Sequence, residues 1–364
     1  MKILLIKFRH IGDVLLSTAL IKNLKKNFPN SKIDFVLNQE SLPILKNNPN
    51  INKIFSYDRK NKSQSFLKKI KYEIDFTKQI IKNRYDIVIN LTEGDRGAII
   101  SILSKAPKRL GIRTRNKFLN LLKPYTKEIS FDPFIHTVEK DLQFVKHLGK
   151  NILEKKVEIY IDDISNKKIE NILKSHNIEK FIIVHPVSRW LFKCWDDEKF
   201  AKVIDYIENE TNFKVIITSS PEKKELDKVN TILSYCKSTP LNLGGKISLY
   251  ELSALISKAT LYLGVDTAPM HMAAALDIPV IALLGPTEPT IWGPWDNQTE
   301  KSSYKKIKQT QFNGKHVIIQ HPNDKIVFKN GKKISTAMMS ISIEEVIEQI
   351  DKALNNKHGK NYEI

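Results

Sequence analysis

Four polar clusters in this chain carry residue types suited to chemistry. The first, Arg9-His10-Ile11-Gly12-Asp13, follows an apolar opening run and precedes a stretch of helical periodicity. In an open α/β sheet ligands bind beyond the carboxyl ends of the strands, so this turn is a candidate site. Gly12 allows close backbone approach. Asp13 sits at the start of the helix, where the plain reading is an acid that favours the helix dipole. No G-x-G-x-x-G follows the first strand, which argues against a dinucleotide fingerprint there. The second cluster, Gly264-Val265-Asp266-Thr267-Ala268-Pro269-Met270-His271, reads as strand, turn and helix start with proline near the first position. Free N–H groups at such a start suit a diphosphate. Asp266 and Thr267 serve equally well as caps, and His271, one turn in, as a packed histidine.

The third cluster is His185-Pro186-Val187-Ser188-Arg189, followed by Lys193, Trp195 and Asp196. Ser188, Arg189 and Lys193 supply donors and positive charge for phosphate oxygens; the plainer reading is an exposed basic loop anchored by Trp195. The fourth, Ser219-Ser220-Pro221-Glu222, offers an acid that could accept from a ribose or base. Gly285-Pro286-Thr287 and Trp292-Gly293-Pro294-Trp295 form a rigid turn region near the same edge. No two aspartates are separated by a single residue. A bound diphosphate would then be neutralised by Lys193, Arg189 and a helix N-terminus instead of a metal held by a D-x-D pair, and no metal-ligand spacing is present.

The elements that must position these clusters alternate short apolar runs with amphipathic ones, the rhythm of a parallel sheet covered by helices. Strands are expected at Lys2 to Phe8, Lys32 to Leu37, Lys53 to Tyr57, Asp86 to Asn90 and, more weakly, Arg109 to Ile112. Val14, Leu15, Ala19, Leu20, Leu24 and Phe28 predict one helix ended by Pro29-Asn30, and 60–83 a lysine-rich, solvent-facing helix with its connection. The rhythm restarts with strands at Lys180 to His185, Phe213 to Thr218, Leu241 to Leu243, Leu261 to Val265 and Val280 to Leu284. This predicts an N-terminal domain over 1–165, a second over 175–341, and a joint near Asp162 to Lys174. A terminal helix begins at Ser342 with Glu345 three residues on, a capping box, and is expected to pack back toward the first domain over 342–364. The lysine-rich stretch 301–333 reads as a long surface insertion.

The composition excludes several classes. At 364 residues and 41% hydrophobic, the chain is long enough for two cores. No run reaches the roughly 18 apolar residues of a membrane span, and the N-terminus reads as a first strand rather than a secretory signal. Only Cys194 and Cys236 are present, consistent with a reducing cytoplasm. The formal net charge of +19 favours an anionic partner, although a composition rich in lysine, asparagine and isoleucine accounts for it as readily. The lysines are scattered and no nucleic-acid-binding motif accompanies them, so no nucleic-acid partner is expected.

Taken together these residues resemble glycosyltransferase family nine, the bacterial lipopolysaccharide heptosyltransferases, over nearly the whole length. The similarity rests on Ile6-Lys7-Phe8-Arg9-His10-Ile11-Gly12-Asp13-Val14-Leu15-Leu16-Ser17-Thr18, on Leu91-Thr92-Glu93-Gly94-Asp95-Arg96-Gly97, on Gly264 to Ala275, and on Gly285-Pro286-Thr287 with Trp292-Gly293-Pro294-Trp295. These motifs look most like the heptosyltransferase III branch.

The resemblance implies an α/β fold of GT-B type: two facing Rossmann-like domains with the site in the cleft. It implies ADP-L-glycero-D-manno-heptose as donor, a lipid A-linked core oligosaccharide as acceptor, and an inverting reaction without metal or cofactor. It allows peripheral contact with the cytoplasmic face of the inner membrane. The family's catalytic aspartate falls on Asp13, its donor-binding lysine on Lys193, its diphosphate turn on Asp266, Thr267 and His271, and its nucleoside-binding acid on Glu222 or Glu225. Ser188 joins the donor side; Gly12, Glu93 and Arg96 the acceptor side. The stretch 301–333 departs from the family pattern. Other readings of the same residues are a GT-B transferase using another nucleotide sugar, a sugar-nucleotide epimerase of similar fold, and a non-catalytic anion-binding protein.

Overall fold

A computed structural model describes residues 1–59, 65–329 and 332–355. The chain divides into two compact units, Met1–Tyr160 and Ile161–Ile364. The first is built on six strands: β1 (Lys2–Lys7), β2 (Lys32–Asn38), β3 (Lys53–Tyr57), β4 (Ile87–Asn90), β5 (Lys108–Gly111) and β6 (Lys127–Glu128). They pair in parallel in the order β3-β2-β1-β4-β5-β6. Residues 3–6 of β1 are all apolar and fully buried, as expected of a central parallel strand covered on both faces. Each such side chain contributes about 1.5–3 kcal/mol of burial.

One expected helix is in fact two, Ile11–Leu16 and Thr18–Asn27. The hydroxyls of Ser17 and Thr18 donate to the carbonyls of Val14 (2.6 Å) and Leu15 (2.8 Å), local bonds that compete with the helical ladder where it breaks. Of the stretch 60–83, residues 60–64 lie outside the described residues; Phe66–Ile81 is a helix that buries Phe76, Thr77 and Ile80.

The second unit repeats the wiring with β7 (Phe181–His185), β8 (Lys214–Ile217), β9 (Leu241–Asn242), β10 (Leu261–Val265), β11 (Val280–Leu284), β12 (Gln311–Asn313) and β13 (His316–Gln320). The order is β12-β13-β11-β10-β7-β8-β9, parallel except for β12, which pairs antiparallel with β13. The reading of 301–333 as a surface insertion is thereby corrected. This stretch supplies β13, five buried residues of which Val317 to Gln320 pair with β11, and then the hairpin β14 (Ile326–Lys329) and β15 (Lys332–Ser335). Its polar flanks hid a short apolar core, Val317-Ile318-Ile319. Residues 330–331 lie outside the described residues.

Two helices mark the ends of the second unit. The stretch expected to join the domains is mostly the helix Asp163–Ser175, started by Asp162, whose carboxylate accepts from the Ser165 N–H (2.8 Å). This helix packs on Leu249–Ile256 of the second unit. The terminal helix Ile343–Asn355 starts on the expected box: Ser342 N–H donates to Glu345 (2.8 Å), and Glu345 N–H donates to Ser342 Oγ (3.1 Å). Val346 and Ile350 enter the second unit's core, against helix Asp197–Glu210, β11 and β13, and Tyr206 donates to Asp351. Residues 356–364 lie outside the described residues.

Candidate active site

In both sheets the strand order reverses once, between β1 and β4 and between β7 and β10. The loops leaving these neighbouring strands diverge to opposite faces and open a crevice at the carboxyl edge, where doubly wound folds bind ligands. All the chemistry-bearing loops of the first unit leave β1 or β4. Asp13 stands in the first turn of the helix that follows β1 and is half-buried. It does not cap the helix: His10 is the N-cap and contributes no side-chain bond. Among the described residues none hydrogen-bonds to or pairs with the Asp13 carboxylate.

Beneath it lies an ion pair that sequence spacing gives no means of finding. Lys7, the last residue of β1, pairs with Asp141 on helix Thr137–His147, and their side chains are 2% and 3% exposed. Burial pushes the Asp141 carboxyl upward, the Lys7 ammonium holds it down, and the charge of nearby Asp13 adds a further push upward. Asp13 therefore sits within electrostatic reach of a buried, internally balanced pair.

The β4 loop is organised by Asn90. Its Oδ1 accepts from Thr92 Oγ1 (2.8 Å), and its Nδ2 donates to Tyr125 (2.7 Å). Gly97 is required because a Cβ there would lie 2.5 Å from the Asn90 amide. Glu93, one residue further along the loop than Thr92, is half-buried and 3.8 Å from Arg115. Arg96 is placed differently from a free acceptor-side cation. It donates to both carboxylate oxygens of Glu73 (2.6 and 3.0 Å) and lies 3.8 Å over the Tyr57 ring. Tyr57 donates to the same Glu73 (2.6 Å), and burial together with that carboxylate pushes its phenol up to about 12. The guanidinium is committed to fastening helix Asp95–Ser104 to helix Phe66–Ile81.

In the second unit the structure brings Lys193, Asp266 and Thr287 together from three separate loops. Lys193 donates to Asp266 Oδ2 at 2.6 Å, and Thr287 Oγ1 donates to the same oxygen at 2.6 Å. Lys193 ends a short 3-10 turn, Leu191–Lys193, against which β15 packs. Thr287 is held by the former "insertion": Gln320, at the end of β13, donates to the carbonyls of Gly285 (2.6 Å) and Thr287 (2.8 Å). Gly285 is fixed by crowding, since a Cβ would meet Ser335 Oγ at 2.7 Å.

The remaining donor-side residues fall around this cluster or apart from it. Thr267 is the N-cap of helix Ala268–Ala275 without a side-chain capping bond, so the first N–H groups of that helix gain nothing from its hydroxyl. His271 is buried beside the Trp292 ring (6.5 Å). Ser188 is buried and accepts from the Trp190 N–H (3.3 Å), while Arg189 is exposed. Glu225 is 6% exposed and accepts from the Ser220 N–H (3.1 Å), so it shapes its own loop. Glu222 is exposed and caps nothing. Sequence reasoning passed over Trp190, whose ring is 56% exposed on the turn leading to Lys193. Among the described residues no group of three or more potential ligands could hold a metal ion.

Two Rossmann-like units, each with polar residues gathered at its switch point, define a doubly wound α/β protein of the kind that binds ligands at the carboxyl edges of its sheets. The profile of glycosyltransferase family 9 (heptosyltransferase) matches residues 74–318. Lipopolysaccharide heptosyltransferase 3 of Escherichia coli is 36% identical over 292 residues, 79% of this chain and 85% of that protein. In fold, the chain is similar to a family 9 glycosyl transferase from Veillonella parvula, with a TM-score of 0.80, 22% identity and 98% and 97% of the two chains covered. It is also similar to Escherichia coli ADP-heptose lipopolysaccharide heptosyltransferase II, with a TM-score of 0.73, 18% identity and 99% and 100% covered. The chain belongs to glycosyltransferase family 9, and its fold is that of the solved heptosyltransferases.

Proposed function

We propose that this enzyme transfers a heptose from ADP-L-glycero-D-manno-heptose to the lipid A-linked inner core of lipopolysaccharide or lipooligosaccharide, inverting the anomeric centre without a metal. The observation that carries this reading is the pair of switch points, one bearing an unengaged carboxylate and the other a lysine–aspartate–threonine cluster beside a helix N-terminus. The names of the related proteins supply the sugar and the acceptor class.

In the proposed reaction Asp13 takes the proton of an acceptor hydroxyl as that oxygen bonds to the anomeric carbon. The bond from that carbon to the diphosphate oxygen breaks on the opposite face, and ADP leaves. The charge growing on the diphosphate is met by Lys193 and by the N–H groups at the start of helix Ala268–Ala275. Asp266 does not bind the diphosphate, since two anions repel; it holds Lys193 ready. Ser188 and His271 support the donor side, and exposed Glu222 accepts from the nucleoside, because Glu225 is spent within its loop. The acceptor's lipid anchor places the work at the cytoplasmic face of the inner membrane. Among the described residues no helix is long and apolar enough to cross a membrane, which is consistent with peripheral contact.

The test is a donor panel on purified protein with a core-oligosaccharide acceptor. ADP-heptose should raise the melting temperature well above the effect of other nucleotide sugars and should yield ADP only when acceptor is present, with full rate in excess EDTA. Equal stabilisation by unrelated nucleotide sugars, ADP release without acceptor, or strict dependence on magnesium or manganese would overturn the reading.

A further inference from the structure

The segment Arg113-Thr114-Arg115-Asn116-Lys117-Phe118-Leu119-Asn120-Leu121-Leu122-Lys123 follows β5 at the carboxyl edge of the first unit's sheet, the edge that carries Asp13. Its burial is inverted. The short helix Lys117–Leu121 buries only Leu119, while Phe118 is 67%, Leu121 78% and Leu122 51% exposed. Three large apolar side chains within five residues thus face water, where ordinary folding would turn them inward. Exposed Arg113, Arg115, Lys117 and Lys123 surround them, and the segment contains no acid. Two carboxylates meet the segment: Glu93, 3.8 Å from an Arg115 that is itself 92% exposed, and Asp95, which accepts from Asn116 (3.2 Å).

The presentation is built into the backbone. Asn116 caps the helix by accepting from the N–H groups of Phe118 (3.1 Å) and Leu119 (3.3 Å). Asn120 donates to the Thr114 carbonyl (2.8 Å), and its Oδ1 accepts from the Thr114 N–H (3.3 Å). These bonds close the segment on itself and leave the apolar side chains no way to fold under.

An apolar tip ringed by cations matches one environment: the interface of an anionic bilayer, where the rings and aliphatic chains enter the acyl boundary and the cations meet phosphate headgroups. We propose that residues 113–123 are a membrane-docking segment that seats the catalytic edge of the first unit on an anionic lipid surface. This deepens the membrane contact proposed above and rests on that reading for its biological setting, although the surface chemistry stands without it.

The experiment uses the full-length protein and vesicles of phosphatidylethanolamine and phosphatidylglycerol, with phosphatidylcholine vesicles as the uncharged arm. Wild type should sediment with the anionic vesicles and release as salt rises. Arg113→Gln/Lys117→Gln should weaken binding by roughly 20- to 30-fold, at about fivefold per cation. Phe118→Ser/Leu121→Ser should weaken it at least about tenfold. Both pairs are exposed, so melting temperatures should stay at wild type. The Leu121→Trp variant should show a blue shift of its added emission only with anionic vesicles, which locates the contact. Unchanged vesicle binding in both double variants, or no shift from the Leu121→Trp variant, overturns the proposal. So does concentration-dependent dimerisation that these variants abolish without vesicle binding, which would make the occupant a second copy. Transfer to a delipidated, soluble acceptor should be equal in wild type and variants; a matching loss there would mean that the segment grips the acceptor sugar instead. Should wild type transfer nothing to that acceptor, the functional reading fails while the vesicle result stands by itself.

Discussion

The two switch points share one wiring diagram but handle charge in opposite ways. In the first unit the cation, Lys7, is sealed under the site with Asp141, and the carboxylate facing outward, Asp13, is left unpaired. In the second unit the cation itself faces outward: the Lys193 and Asp266 side chains are 24% and 12% exposed. On the proposed mechanism Asp13 is a proton acceptor and must keep a lone pair free, so its countercharge has to stand back. On the same proposal Lys193 cradles phosphate and must exchange partners, so it is held by a carboxylate it can relinquish. Breaking a buried pair by removing one partner leaves an uncompensated charge and costs about 3–5 kcal/mol, whereas a partly exposed pair contributes about 0–1 kcal/mol. The first unit's pair is therefore built for permanence and the second unit's for exchange.

The sharpest way to break this contrast is Asp13→Asn. The change keeps the shape and any favourable placement at the helix start but removes the proton acceptor. Turnover should fall by about 10²–10⁴ while the melting temperature and donor affinity hold. Near wild-type turnover would move the base elsewhere, with Glu93 and Asp95 next to be tested. Asp141→Ala tests the permanence of the buried pair. It should lower unfolding free energy by about 3–5 kcal/mol in a denaturant titration. A cost under about 1 kcal/mol would mean that the pair is solvated and the contrast false.

Lys193→Ala should do the reverse. Stability should change by less than about 1 kcal/mol, but ADP-sugar affinity or turnover should drop about tenfold to a hundredfold with the loss of a charge-assisted contact. Calorimetry and kinetics both unchanged would show that the cradle lies elsewhere. Smaller still, Thr287→Val removes one hydroxyl bond to Asp266 and should cost a few-fold in donor affinity, about 0.5–1.5 kcal/mol.

A last difference concerns pH. Burial pushes the second unit's His185 down to about 4 and His316 to about 3, so both imidazoles stay neutral in the fold. The unfolded chain protonates near the ordinary value of about 6.5. Their contribution is complete above that value and is lost as pH falls through the window toward about 4 and about 3. Stability measured from pH 7.5 to pH 4.5 should decline, and His185→Gln should flatten the decline. An identical slope in the variant would place the acid sensitivity in other groups.

Much of this molecule was readable from local sequence because its determinants are local. Short, mostly apolar runs specify β1, β2, β7 and β10, and the capping box at Ser342 and Glu345 starts its helix as expected. Asp266 directly follows β10, and Asp13 and Lys193 lie on the segments leaving β1 and β7, the edge where a doubly wound sheet binds, so their candidacy needed only strand positions. What the tertiary structure decided is partnership. Nothing in the spacing of 7 and 141, or of 193, 266 and 287, announces a contact; each arises because parallel strands bring distant loops to one edge. The same holds for Arg96, which the resemblance set on the acceptor side and which is bonded to Glu73 and stacked on Tyr57. It holds again for 301–333, where flanking lysines masked β13, the strand that pairs with β11 and, through Gln320, holds Thr287 in place. Local sequence determines which conformation a segment prefers and which atoms it offers; only packing decides which of those atoms are already taken.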